Sequence, residues 1–177
     1  MAKKINLENF IRNIPDFPKP GILFRDLTTL LQDKLAFKEA IDTLSNKFKD
    51  KKIDTVVAVE ARGFILGGAI AHKLQAGFVP VRKKGKLPWK TKSVTYSLEY
   101  GTDTLEIHED ALKPGLRVLI VDDLLATGGT VKAVTKLVES QGAKIIGIAF
   151  VIELVDLRGK EKLKGYPVYS LIKFHGE

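Results

Sequence analysis

The chain of 177 residues is 45% apolar and 28% charged, which excludes a disordered polymer and suits a folded unit able to bury a substantial core. It has no cysteine, which excludes disulfides, thiolate catalysis and zinc–thiolate sites. The net charge of +8, from 29 basic and 21 acidic residues, suits a polyanionic partner, either nucleic acid or a multiply phosphorylated small molecule, unless it marks only a solvated basic surface. No apolar run nears the roughly 20 residues that cross a bilayer. The start Met1-Ala2-Lys3-Lys4-Ile5 is basic but lacks the apolar run and cleavage site of a signal peptide. A cytoplasmic protein with no membrane partner is therefore expected.

Residues 6–13 are predicted to form a short first helix, after which Pro15, Pro18, Pro20 and Gly21 impose an irregular segment. Over 34–49, Leu35, Ala36, Ala40, Ile41, Leu44 and Phe48 share a stripe at helical spacing. The run Asp54-Thr-Val-Val-Ala-Val59 is short, β-branched and continuously apolar, the mark of a parallel strand buried on both faces. A turn at Arg62-Gly63 leads into an apolar helix over 64–75 and a strand over 77–82. Residues 83–92 are polar and basic and contain Pro88, and 93–100 with 103–108 alternate about Gly101 as an antiparallel hairpin. Residues 116–121 form a second buried strand. A helix over 130–140 turns Val131, Val134, Leu137 and Val138 inward and ends at Gly142. A third buried strand over 144–152, a short helix near 156–163 and a strand near 166–172 complete the order. No repeat, low-complexity tract or linker interrupts it. The pattern predicts an α/β fold, an open, mostly parallel sheet flanked by helices, with ligands beyond the carboxyl ends of its strands.

The stretch Arg117-Val-Leu-Ile-Val-Asp-Asp-Leu-Leu-Ala-Thr-Gly-Gly-Thr130 is the most informative. A buried strand ends in Asp122 and Asp123, a loop of Ala126, Thr127, Gly128, Gly129 and Thr130 comes next, and a helix begins. Successive amides at a helix N-terminus form an anion site, aided by the macrodipole. Glycines let the backbone approach a phosphate, and the two acids suit sugar hydroxyls or a bound Mg²⁺. A phosphate beside a diol describes ribose 5-phosphate. Taken singly, Thr127 or Thr130 reads more simply as a helix cap and Asp123 as the partner of a turn amide; the arrangement as a whole does not. Adjacent acids on a strand point to opposite faces, so both serve one ribose only if the chain is already turning. Neither G-x-x-x-x-G-K-[ST] nor G-x-G-x-x-G after a strand is present.

This segment resembles the donor-binding signature of the type I phosphoribosyltransferases, in the form seen in the adenine phosphoribosyltransferases. The likeness runs through Gly21-Ile-Leu-Phe-Arg-Asp26, Glu60-Ala-Arg-Gly-Phe64, Arg82-Lys-Lys-Gly-Lys-Leu-Pro88, Tyr96-Ser-Leu-Glu-Tyr-Gly101 and Glu153-Leu154. The resemblance implies one phosphoribosyltransferase domain over 1–177. Its hood comes from about 1–33 plus the 153–160 region, its flexible lid and hairpin from 83–108, and it forms a homodimer. It implies transfer of the 5-phosphoribosyl group from 5-phosphoribosyl-1-pyrophosphate to adenine, giving AMP and pyrophosphate in purine salvage. Mg²⁺ is then the cofactor, brought by the donor, with Asp122 and Asp123 the candidates to meet it.

Residues 82–92 hold Arg82, Lys83, Lys84, Lys86, Lys90 and Lys92, with Gly85 and Pro88 against regular structure. A mobile basic loop can close over a pyrophosphate and exclude water. Its single aromatic, Trp89, gives no stacking platform for nucleic acid. The resemblance places Arg82, Lys83 and Lys86 in a lid over pyrophosphate and gives Arg62, whose planar fork suits phosphate, the same ligand; a plain ion pair with Glu60 is the alternative. In the hairpin, Glu99 and Tyr100 read by themselves as a cross-strand surface pair. The resemblance instead puts Glu99 at the reaction centre, where carboxylate and phenol position the base or manage its proton. For adenine itself, Phe24 and Leu154 are candidates to cover its faces, and a main-chain carbonyl near Arg25 to accept from its exocyclic amine. Competing readings keep the fold but change the base to hypoxanthine-guanine, xanthine or orotate, make the chain a non-catalytic sensor of donor or purine, or make it a basic nucleic-acid binder.

Overall fold

The structure is a computed structural model that describes residues 5–97 and 101–176. Its strands are β1 (Arg12–Ile14), β2 (Phe24–Asp26), β3 (Thr55–Val59), β4 (Gly77–Lys83), β5 (Thr91–Ser97), β6 (Thr102–His108), β7 (Arg117–Leu125), β8 (Lys144–Leu154) and β9 (Val168–Phe174). The helices are α1 (Thr28–Gln32), α2 (Lys34–Phe48), α3 (Arg62–Leu74) and α4 (Gly129–Ser140). A seven-stranded sheet runs in the order β5-β6-β4-β3-β7-β8-β9. β4, β3, β7, β8 and β9 are parallel, while the β5–β6 hairpin joins antiparallel at β4.

Alternation along the central strands builds two cores. Val56, Leu119, Val121, Ala149 and Val151 face α2 and α3, burying Ala40, Leu44, Leu66 and Ile70. Val57, Ile120, Ile148 and Phe150 face α4 and the hairpin, burying Val134, Leu137, Leu105 and Ile107. Each such leucine, isoleucine or valine stabilises the fold by about 1.5–3 kcal/mol through apolar burial. α3 lies close on β3 because Gly67 faces it; a Cβ there would stand 2.6 Å from that of Ala58. Both acids and the loop after them are thereby carried at the carboxyl edge of a sheet covered on both faces.

Several expectations from the sequence are corrected. The helix over 6–13 is only a 3-10 turn at Leu7–Phe10, capped by the Asn6 side chain. The chain then enters β1, which pairs antiparallel with β2. The prolines lie in the connection, where the Asp16 carboxylate accepts from the Gly21 amide at 2.7 Å, so the segment that breaks periodicity returns one strand onto the other. α1 was not expected. α3 begins at Arg62 itself, so Arg62 and Gly63 belong to the helix and the turn falls at Glu60 and Ala61. β7 extends to Leu125 and β8 to Leu154, because their pairing continues from Asp122↔Phe150 to Leu125↔Glu153. The helix near 156–163 is two 3-10 turns, Val155–Leu157 and Gly159–Leu163, separated by Arg158 at φ 51°. The irregular part of 83–92 shrinks to 84–90, between β4 and β5.

Candidate active site

β3 and β7 are parallel neighbours, so the segments leaving their carboxyl ends meet at one edge of the sheet. Arg62, the first residue of α3, donates from Nε to Asp123 Oδ2. The acid that pairs with Arg62 is thus Asp123, not Glu60. Asp122 is buried, and its Oδ1 accepts from the Asp123 amide at 2.9 Å. Burial first, and the neighbouring Asp123 charge second, hold the Asp122 carboxyl well above its ordinary value of 3.8. Gly63 makes room for this acid, since a Cβ there would lie 3.0 Å from its Oδ1. The alternation of β7 slips by one residue across the acids. Leu119 and Val121 pack on the α2–α3 side, and so does Leu124; Ile120 and Leu125 pack on the α4 side. The chain is therefore turning at the acids, and both border one cavity of about 400 Å³ with Arg62, Lys83, Tyr96 and Thr130.

The loop beyond is a depression of about 80 Å³ lined by Asp122 and residues 124–131. Gly128 stands at φ 77° and precedes α4 with no side chain capping the helix. Thr130 Oγ1 instead donates to the Tyr96 hydroxyl at 3.4 Å. The simpler capping role for Thr127 or Thr130 is not what the fold uses, and among the described residues no side chain caps the first amides of α4.

Three cations of 82–92, Arg82, Lys83 and Lys86, are held by acids. Glu60 Oε2 accepts from Arg82 Nη2 and Lys86 Nζ, each at 3.1 Å, and Oε1 accepts from the Lys83 amide at 2.6 Å. Lys83 Nζ pairs with Asp103 at 3.0 Å, and Lys92 Nζ donates to the Ser140 carbonyl at 2.9 Å. Burial pushes the Glu60 carboxyl up, but the Lys83 amide, Lys86 and Arg82 together outweigh it and hold it below its ordinary value. In Asp103, the Lys83 contact leads the causes that lower the carboxyl.

Residues 26–176 match the phosphoribosyl transferase domain family. An adenine phosphoribosyltransferase from Bradyrhizobium sp. (strain ORS 278) is 56% identical over 178 residues, covering 99% of each chain. The chain belongs to the adenine phosphoribosyltransferase family. The crystal structure of adenine phosphoribosyltransferase from Thermoanaerobacter pseudethanolicus is 55% identical and superposes with a TM-score of 0.92, over 95% of this chain and 98% of the other. The Saccharomyces cerevisiae adenine phosphoribosyltransferase, solved with an imino-altritol bisphosphate and adenine, is 42% identical with a TM-score of 0.89, over 94% and 96% of the two chains. The fold is the mostly parallel, helix-flanked sheet of that family.

For a member of this family the remaining candidates divide. Phe24 is half-buried on β2, its ring edge-on to Phe17 with centroids 5.1 Å apart. Arg25 next to it is buried, donates to Asn13 Oδ1 at 2.7 Å and lies 4.0 Å over the Phe174 ring. Phe174 is the register partner of Leu154, so the Arg25 and Leu154 candidates share one end of β8 and β9. None of the three lines the cavity of the two acids. Glu99 and Tyr100 lie outside the described residues. The sequence reading did not single out Tyr96 or Asp103, which line the cavity. For Tyr96 the signal was present, since it sits two residues after Val94 on the half-buried face of β5. Asp103 carried none, because its role depends on β6 lying beside β4.

Proposed function

We propose that this chain transfers the 5-phosphoribosyl group of 5-phosphoribosyl-1-pyrophosphate to adenine, giving AMP and pyrophosphate in purine salvage. The observation that carries this reading is a depression of uncapped helix amides opening beside two acids and an arginine at the ends of adjacent parallel strands. An anion seat, a pair of diol partners and a guanidinium match, in that order, a 5′-phosphate, a ribose and a pyrophosphate. The high identity to adenine phosphoribosyltransferases over nearly the whole chain supports adenine as the base.

A purine nitrogen attacks the anomeric carbon while pyrophosphate leaves, through a transition state with oxocarbenium character. Residues 126–130 seat the 5′-phosphate by their amides and threonine hydroxyls. Asp122 and Asp123 hold the ribose, the Asp122 carboxyl being raised by its burial and by the neighbouring Asp123. Arg62, Arg82, Lys83 and Lys86 exchange their present acids for pyrophosphate and stabilise the departing charge. Glu99 supports the developing cation or takes the purine proton, and Tyr100 positions the base. Phe24 and Leu154 cover adenine, with a carbonyl near Arg25 accepting from its amine. Positioning supplies much of the rate. Among the described residues no cluster of three or more acids or histidines could cage a metal. Two acids at a strand end fit an ion arriving on phosphate oxygens; Mg²⁺ held there beside Asp122 and Asp123 would neutralise charge on the leaving group.

We read residues 1–177 as one such domain, with a hood from about 1–33 plus the 153–160 region and a lid and hairpin over 83–108, working in the cytoplasm as a homodimer. No helix among the described residues is long and apolar enough to cross a membrane. Incubation with donor, Mg²⁺ and each of adenine, hypoxanthine, guanine, xanthine and orotate tests the activity. AMP as the dominant nucleotide is expected; another nucleotide formed as fast, or none at all, overturns it.

A further inference from the structure

Behind the phosphate loop, two backbone segments approach closely at a pair of glycines. A Cβ on Gly159 would stand 2.2 Å from the Ala126 carbonyl oxygen, 2.9 Å from Leu125 Cδ1 and 3.0 Å from the Gly128 nitrogen. A Cβ on Gly128 would stand 2.5 Å from the Gly159 carbonyl oxygen. Gly159 is buried, opens the turn Gly159–Leu163 and does not line the loop's depression. The turn is pinned at both ends. Leu163 is buried in the α4-side core. Lys160 Nζ donates at 2.6 Å to Glu153 Oε2, a buried acid on β8. Glu153 in turn is the register partner of Leu125, from which the loop departs.

We propose that Gly159, backed by the Lys160–Glu153 ion pair, is a positioning residue that sets the height of the 126–128 backbone and so aims the phosphate-binding amides. This rests on reading 126–130 as the 5′-phosphate seat. Hydrogen bonds weaken steeply with misalignment, and among the described residues no side chain caps this loop. The turn it rests on is its closest backbone support. Glycine on both sides permits backbone contact. A methyl group at 159 must displace one of the two segments, and the turn is the one anchored by an ion pair and a buried leucine.

The test is Gly159→Ala, measured by calorimetry with AMP and with Mg²⁺–pyrophosphate, by steady-state kinetics and by melting. Misplaced amides should raise the AMP Kd and the donor KM at least about tenfold, and leave kcat within about threefold and pyrophosphate Kd within about twofold. A cooperatively melting variant with parental AMP affinity overturns the proposal. So does an equal loss for AMP and pyrophosphate, which would mark general damage. If Gly159→Ala does not melt cooperatively, Lys160→Met decides: a higher donor KM restored by Lys160→Arg supports the proposal, and an unchanged donor KM overturns it. Gly128→Ala serves as the benchmark for the phosphate seat. Retained AMP affinity there defeats the reading of the loop itself, while loss there with no effect at Gly159 defeats only the positioning role.

Discussion

In the proposed reaction the phosphate loop and the basic connection between β4 and β5 both meet anions, yet they are built on opposite principles. The loop has no charged residue from Ala126 to Thr130. It works through amides at a helix start and is shaped by backbone contact with Gly159. The connection works through side-chain charge, and its Arg82, Lys83 and Lys86 are already committed to Glu60 and Asp103. A site of amides is pre-organised and gives up no ion pair when phosphate arrives. A site of paired lysines and arginines must exchange one carboxylate for another anion, which costs affinity but permits release. In the proposed reaction the group retained in the nucleotide product thus falls to the amide site, and the leaving group to the exchangeable one.

The largest effect should come from breaking the amide site. At Gly128, φ is 77° and any Cβ meets the Gly159 carbonyl, so Gly128→Ala combines a left-handed penalty of about 1–2 kcal/mol with a backbone clash. AMP affinity by calorimetry should fall at least about a hundredfold, roughly 2.7 kcal/mol. Undiminished affinity would remove the loop from phosphate binding. The next effect sharpens the contrast. A Lys83→Ala, Lys86→Ala double variant should lose about tenfold or more in kcat/KM for the donor through lost charge stabilisation. Its AMP affinity should stay near normal, because AMP carries no pyrophosphate. Equal losses in both assays would make the connection a nucleotide or folding element instead.

Legibility in the sequence divides along the same line. The central strands, α2 and α4, and the loop at 126–130 were legible because their signals are local: β-branched runs, helical stripes, and glycines with threonines before a helix. The N-terminal strand pair was not. β1 and β2 pair across a proline-containing connection, and neither strand exceeds three residues, too short for a periodicity. The cations of 82–92 were legible as charge but not as partners. Glu60 and Asp103 are 22 and 20 residues from Arg82 and Lys83 respectively, and they meet only because β3 and β6 flank β4. Gly159 was invisible for the same reason: nothing in Arg158-Gly159-Lys160 states that a second glycine lies against it.

The smallest effect is a pair of opposed pH dependences, one acid from each region. The Asp122 carboxyl is raised in the folded chain by burial and by Asp123. Its contribution to stability is complete below the ordinary value of 3.8 and is lost as pH rises toward the folded value. Asp122→Asn carries no such loss. Its melting temperature should match the parent near the bottom of that window and exceed it increasingly as pH climbs, even though ribose binding is impaired. Glu60 is lowered by the Lys83 amide, Lys86 and Arg82 against the opposing effect of burial. Its contribution is complete above 4.5 and fades as pH falls through the folded value, so Glu60→Gln should melt lower than the parent at neutral pH, with the gap closing in acid. Melting curves of both variants from about pH 3 to 8 check the two signs together. A pH-independent difference for Asp122→Asn would mean that Asp122 ionises in the folded chain as an ordinary carboxylate.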